Sequence, residues 1–264
     1  MKVALRIVLV LSLLALSGCR SDSIDLHYRF AAKSTLRFEM EALGTATWDI
    51  GQRGSGSYHA TFDVTETIEK VGDSGAVVSV NITPREVEED GLPAPEAGGF
   101  SLRVGPNGEV LEVLEVDGVL ATALDPDELS FIGTYRPPLP LDPVSLQDTW
   151  RSEQGLKLQE VSRQIETVGE LEGLSKDGDG VLARISYRGE GPLNATMMLP
   201  QGAAELKGSA GSRARAVLDV NGGFLREASS TTDGDFEVTV LPEDGRAPLT
   251  GTLRFDLELD LVKV

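Results

Sequence analysis

The sequence predicts an all-β protein: an antiparallel curved sheet, a half-open barrel or a two-layer β structure, built from two similar halves with little helix. Three observations predict it. Apolar and polar residues alternate with period two through most readable segments. Clusters of Gly, Asn and Asp separate those segments at hairpin spacing. Two of the hairpins recur, in the same order, in the second half of the chain.

The alternation begins with Leu26, Tyr28 and Phe30 against His27 and Arg29. Leu36, Phe38, Met40 and Ala42 then alternate with Arg37, Glu39 and Glu41. Tyr58, Ala60, Phe62, Val64 and Ile68 do the same against His59, Thr61, Asp63, Thr65, Thr67 and Glu69. At the C-terminus Leu253, Phe255, Leu257, Leu259 and Leu261 face away from Arg254, Asp256, Glu258 and Asp260. Successive strand residues point to opposite faces, so each run reads as a strand with one apolar and one wet face. Residues 73–75, Asn107-Gly108, residues 177–180 and Asn221-Gly222 supply the positive φ that tight hairpins need. Asp125 to Phe131 is the one short helix the pattern suggests, and residues 157–169 fit both helical and strand spacing.

The repeat bears on that ambiguity. DSGAVVSV (73–80) is similar to GDGVLARI (178–185), and VGPNGEVLEV (104–113) to LDVNGGFLRE (218–227). By that correspondence residues 157–172 match the long strand at 57–71 and are read as strand. About a dozen strands result, more than a flat open sheet carries, so the sheet is expected to curl or to split into two layers. Pro137, Pro138, Pro140 and Pro143 make a stiff extended joint between the halves. A loop rich in acid, Pro and Gly spans residues 85–100 and is expected to be exposed.

The chain opens with Lys2 and Arg6, then a nearly unbroken apolar run from Ile7 to Leu16. That run is too short to span a bilayer, which takes roughly 20 residues, and has the form of a secretory leader. It ends in Leu16-Ser17-Gly18-Cys19, which resembles the lipobox of bacterial lipoproteins, and Cys19 is the only cysteine. The resemblance implies that the Cys19 thiol carries diacylglycerol, that its amine is acylated, and that residues 1–18 are removed. Arg20 in place of an acid resembles the pattern sorted to the outer membrane rather than the inner. The expected organisation is a signal peptide (1–18), a lipidated N-terminus and tether (19–24), a first β half (25–135), a Pro-rich joint (136–148) and a second β half (149–264).

Two further segments, LHYRFAAKSTLRFEME (26–41) and PVSLQDTW (143–150), resemble landmarks of a loosely defined set of bacterial envelope lipoproteins. In that set a first hairpin precedes two β-rich halves joined by P-V-x-x-G-D-x-W. Here Ala32-Lys33 replace a Gly-containing turn and Gln147 replaces the Gly. More distantly, a curved sheet on a lipid anchor is similar in architecture to lipoprotein carriers of the LolA, LolB and LppX type, whose half-open barrels hold acyl chains.

The residues offer little chemistry for catalysis. The net charge is −18, and −20 once Lys2 and Arg6 leave with the signal, so nucleic acid is excluded as a partner. His27 and His59 fall on the polar faces of their strands, without the spacing of a metal site. GDSGA (72–76) resembles the nucleophile loop of chymotrypsin-like proteases, but Ala76 stands at the second glycine and the segment reads as a turn. Asp177, Asp179 and the following residues miss the acid spacing of a calcium loop, because Val181 stands at its fifth position. No phosphate loop is present, and no cofactor is implied. Trp48 and Trp150 are assigned to core or joint packing.

The expectation is a lipid-anchored protein of the bacterial cell envelope, held through Cys19 at the outer membrane, with no enzymatic activity. It acts as an interaction or structural module on an unknown envelope partner. The alternative is a carrier of an apolar ligand or lipid, with Tyr28, Phe30, Phe38, Met40, Phe62 and Val64 lining the cavity.

Overall fold

A computed structural model describes residues 23–123, 136–158, 161–199, 202–242 and 247–264. Cys19, the leader and the expected helix at 125–131 lie outside the described residues. The protein is all-β, as the alternation predicts. Its strands are β1 (Thr35–Ile50), β2 (Gln52–Gly72), β3 (Gly75–Asp90), β4 (Gly98–Val104), β5 (Val110–Val116) and β6 (Val119–Leu120). After a 3-10 turn at Ala121–Ala123 come β7 (Thr149–Leu158), β8 (Val161–Asp177), β9 (Gly180–Leu199), β10 (Gly202–Asp219), β11 (Phe224–Pro242) and β12 (Leu249–Lys263).

All twelve strands form one curved antiparallel sheet in the order β6-β5-β4-β3-β2-β1-β12-β11-β10-β9-β8-β7. Each half of the chain is thus a six-strand meander, and the meanders join at β1 and β12. The sequence repeats fall on this plan: turn 72–75 joins β2 to β3 as turn 177–180 joins β8 to β9, and the β4–β5 turn corresponds to that of β10–β11. A shift of six strands therefore maps one half onto the other. Under that shift the β1–β12 seam is equivalent to a β7–β6 seam. The second seam is not zipped: β6 is only Val119–Leu120, and no β6–β7 pairing forms among the described residues. The sheet curls until β5 and β7 approach each other, but it does not close.

The turns at 72–75, 105–109, 177–180 and 220–223 share one end of the sheet with residues 24–34 and 136–148, here called the plugged end. The β1–β2 hairpin at Gly51 marks the opposite end. Leu26, Tyr28 and Phe30 do not form the expected strand. Residues 25–30 cross the concave face at the plugged end, held by Tyr28 N–H to the Pro106 carbonyl (2.7 Å) and Arg29 N–H to the Gly223 carbonyl (2.8 Å). The alternation there is real, because one side of the segment faces the core, but its hydrogen bonds go to turns rather than to a ladder. Gly223 (φ +65°) both makes the turn and lets Arg29 approach, since a Cβ would come within 2.5 Å of the Arg29 N.

The main core gathers on the concave face at this end. Phe62, Val78, Leu102, Val104, Leu171 and Ala183 are fully buried, with Leu26 and Tyr28 laid across them. A second, smaller cluster of Ala204, Leu206, Phe236, Val238 and Val240 sits toward the far end, with Phe255 stacked on Phe236 at 5.6 Å. Two expectations about segments are corrected. Residues 85–90, read as loop, continue β3 as an exposed strand past a register shift at Phe62, which pairs with Pro84. Proline is tolerated in a strand at such a bulge. Residues 157–172 are not one strand but the end of β7 and much of β8.

Lys33 and Gln147 have positive φ, 65° and 68°. An L-residue with a Cβ is strained there, and glycine is not. Gln147→Gly is expected to stabilise the fold by about 0.5–1 kcal/mol after the extra entropy of an unfolded glycine is counted. The change reads out as a higher urea midpoint at unchanged m-value. A lower midpoint would mean that contacts of the Gln147 side chain outweigh its strained backbone.

Candidate functional site

Among the described residues the buried apolar side chains gather on the concave face, and its middle is where it stops being packed. β1 and β12 are the central strands of the sheet, where burial should be deepest. On β1 the inward residues Phe38, Ala42 and Ala46 are indeed buried. On β12 the inward row Leu253, Phe255, Leu257, Leu259 and Leu261 is half-buried throughout, while Arg254, Asp256, Glu258 and Asp260 are exposed on the outside. Leu259 and Leu261 lean on the main core and Leu253 and Phe255 on the second cluster; Leu257 belongs to neither.

The cross-strand register places small and hydroxyl residues around Leu257. Gly44 and then Tyr58 lie on one side of it, Thr232 and then Ser212 on the other. Thr232 Oγ1 donates to Ser212 Oγ at 3.2 Å. Tyr58 lies over Gly44, where a Cβ would come within 2.2 Å of its ring, and partial burial raises its phenol pKa. The result is a waist between two cores, apolar along β12 and flanked by hydroxyls. Where this row reaches Leu253 it runs into an open groove of about 790 Å³. Trp48, Phe236 and Leu253 give it apolar side chains, while the neighbouring Asp49, Arg53, Lys207, Asp235, Glu237 and Arg254 alternate with them along the strands and project to the outer face. Its charges are balanced and paired at the surface, Arg53 with Asp49 at 3.1 Å and Arg254 with Asp235 at 3.8 Å.

The residues expected to line a cavity are elsewhere. Tyr28, Phe38, Phe62 and Val64 are at most 5% exposed and fill the main core; Phe30 and Met40 are half-buried at its margin. Leu26 and Tyr28 of the crossing segment themselves fill the core together with Phe38, Phe62 and Val64. The inward alanines Ala42, Ala60, Ala183 and Ala216 are likewise buried in close packing. Cys19 lies outside the described residues.

A buried polar cluster that sequence reading missed ties the joint to the inner face of the sheet. Arg136, at the start of the joint, pairs with Glu66 on the inner face of β2, and both are nearly inaccessible. The Arg136 guanidinium lies 4.6 Å from the centre of the Tyr28 ring and 5.5 Å from that of Phe30. Tyr28 Oη donates to the Pro137 carbonyl at 3.0 Å, and Trp150 Nε1 to the Pro138 carbonyl at 3.0 Å. Trp150 meets Tyr187 edge-on at 6.1 Å, so it packs at the joint as expected. A charged residue at an inward strand position, Glu66 among Val64 and Ile68, was the available signal.

Burial raises the phenol pKa of Tyr28 to about 12, with Arg136 opposing the shift, and burial raises that of Tyr187 as well. The folded state thus holds these protons more tightly than the unfolded chain, whose tyrosines titrate near 10. The stabilisation is complete below pH 10 and is lost as pH rises toward 12. For Tyr28 about 2–3 kcal/mol disappears over that window. Denaturant midpoints should therefore fall steeply above pH 10, and less steeply in Tyr28→Phe. Identical slopes for the two proteins would refute the assignment to Tyr28.

The two histidines are separate. His59 Nε2 lies 2.7 Å from Glu41 Oε1 on the outer face, and His27 Nδ1 lies 3.3 Å from Asp25. Ser74, in the β2–β3 turn, is about 45 Å along β2 from His59 at strand rise, too far for a nucleophile and its base.

No protein-family model and no curated protein matches the chain. The sheet resembles one in lipovitellin. That structure, described as lipid–protein interactions in lipovitellin, aligns with a TM-score of 0.50 and 11% identity over 89% of this chain. This chain spans a quarter of the lipovitellin chain, 25% by alignment. A crystal structure of OpdQ from Pseudomonas aeruginosa aligns over 88% of this chain and 99% of its own, with 6% identity and a TM-score of 0.23. At 11% identity the lipovitellin match concerns the fold: a curved antiparallel sheet of this kind is a known architecture.

Proposed function

We propose that the protein is a lipid-anchored envelope carrier that binds an apolar, chain-like ligand on the concave face of its sheet. The observation that carries this reading is the inward row of β12. It is central in the sheet, continuously apolar from Leu253 to Leu261, and nowhere fully buried. A row of that length, at about 3.4 Å per residue, offers on the order of 27 Å of apolar floor, enough for a long acyl chain. The groove at its Leu253 end extends the floor with Trp48 and Phe236. The incomplete seam keeps the sheet from closing into a packed barrel. The lipovitellin structure, whose description names lipid–protein interactions, has a sheet of similar fold.

The role is binding and not catalysis. Anchorage runs through diacylglycerol on Cys19, and the site of action is the cell envelope, at the outer membrane. The negative surface suits ligands that carry no net negative charge.

Native mass spectrometry of the full lipidated chain, released from detergent, tests the reading. A co-purifying acyl lipid that leaves on denaturation is expected. Leu257→Asp places a carboxylate in the middle of the row and removes a buried contact of about 1.5–3 kcal/mol, so occupancy should fall more than tenfold. A ligand-free mass for both proteins, with no uptake of added lipid, would overturn the carrier and return the protein to an interaction module.

A further inference from the structure

The joint carries the most exposed large apolar side chain among the described residues. Leu141 is 84% exposed, and Leu146 in the same segment is 54% exposed. Neither can turn inward without moving the backbone. Ile24 and Val144 exchange both backbone hydrogen bonds, at 2.7 and 2.9 Å, between the two leucines. Leu139 N–H is bound to the Asn107 carbonyl and Gln147 N–H to the Leu171 carbonyl, and Pro140 and Pro143 stiffen the rest. The joint thus holds two leucines in water, on a rigid frame, at the plugged end.

The position of Ile24 says what covers them. Cys19 precedes Ser23 by four residues, and a fully extended chain covers at most about 3.6 Å per residue. Cys19 therefore lies within about 14 Å of Ser23, whose neighbour Ile24 is bridged to the joint. A lipid on Cys19 brings the bilayer surface to the joint itself.

We propose that Leu141 and Leu146 form a membrane-docking surface, seated in the bilayer that holds the Cys19 lipid. The proposal rests on the Cys19 anchor stated above. Asp142 and Asp148 flank the leucines and the chain is acidic overall, so the surface fits zwitterionic headgroups rather than anionic ones. Docking orients the molecule. The turns 72–75, 177–180 and 220–223 face the membrane, and the β1–β2 hairpin with the Trp48–Leu253 groove points away from it. A ligand on β12 would then exchange on the side distant from the anchoring bilayer.

The native chain has a single cysteine, which makes the test direct. Leu141→Cys, Leu146→Cys and, at the far end, Leu249→Cys are made in the full lipidated chain. Each is labelled with an environment-sensitive maleimide fluorophore and reconstituted in phosphatidylcholine vesicles. Brominated phosphatidylcholine should lower emission at 141 and 146 roughly twofold and leave 249 unchanged, because only apolar side chains at the interface reach the acyl region. Aqueous iodide should do the reverse. Labels at 141 and 146 that respond to iodide like the one at 249 would overturn the docking surface. So would shielding from iodide without quenching by brominated lipid, which would mean a protein covers the leucines. Wild type serves as the control for the anchor: a Cys19 thiol held in a thioether to diacylglycerol takes no maleimide. Labelling of wild type would refute the anchor itself, separately from the position of the leucines.

Discussion

Arg136→Met is expected to destabilise the fold by about 3–5 kcal/mol. Arg136 and Glu66 are 5% and 2% exposed, and their contact ties the joint to the middle of β2. Methionine keeps much of the volume but removes the guanidinium that pairs with the buried Glu66 carboxylate. The cation over Tyr28 and Phe30 goes with it. Since whole domains are stable by about 5–15 kcal/mol, the loss is a large fraction of the total. Pairing it with Glu66→Gln should recover part of the loss, because a neutral amide is cheaper to bury than a charge. Chemical denaturation of the two single variants and the double variant measures the coupling. Additive effects would show that the two side chains act independently, and the joint would then be held without a contribution from their pairing.

Phe62→Ala should cost about as much, 3–5 kcal/mol, by a different route. Phe62 is 0% exposed in the main core, opposite Met40 on β1 and Pro84 on β3. The register shift beside it fixes the local backbone, so the strands cannot collapse to fill the space, and the cost is transfer plus cavity. Leu141→Ala, on the exposed joint, should change stability by under about 0.5 kcal/mol. A Phe62→Ala loss below about 1.5 kcal/mol would mean that the core at the plugged end is loose enough to repack.

Much of the architecture is legible in the residues. The alternation from Leu253 to Leu261 fixes which side chains of β12 share a face, and the structure keeps that assignment. Asn107-Gly108, Asp177-Gly178 and Asn221-Gly222 are turns, whereas Asp233-Gly234, an equally good turn pair, lies inside β11. The similarity of 73–80 to 178–185 corresponds to a shift of six strands. Lys33 and Gln147 adopt a left-handed conformation that nothing in their residue types announces.

The candidate site is much less legible, because alternation says nothing about what lies across from a face. Phe38 and Leu257 occupy equivalent inward positions on neighbouring strands, with the same pattern around them. One is packed because residues 25–30 and the joint cross above its end of the sheet; the other is half-exposed because nothing described crosses the waist. Glu66 reads as an out-of-pattern charge until Arg136, 70 residues later, is placed beside it. By itself the sequence determined the fold class, the two faces of most strands, the hairpin turns at 72–75, 107–108, 177–180 and 221–222, and the acidic composition, which follow from period-two geometry and local backbone preference. Only the tertiary structure decided which seam zips, where the core is solid and where the concave face stays open, because those depend on side chains that meet across long loops and on the curvature that brings them together.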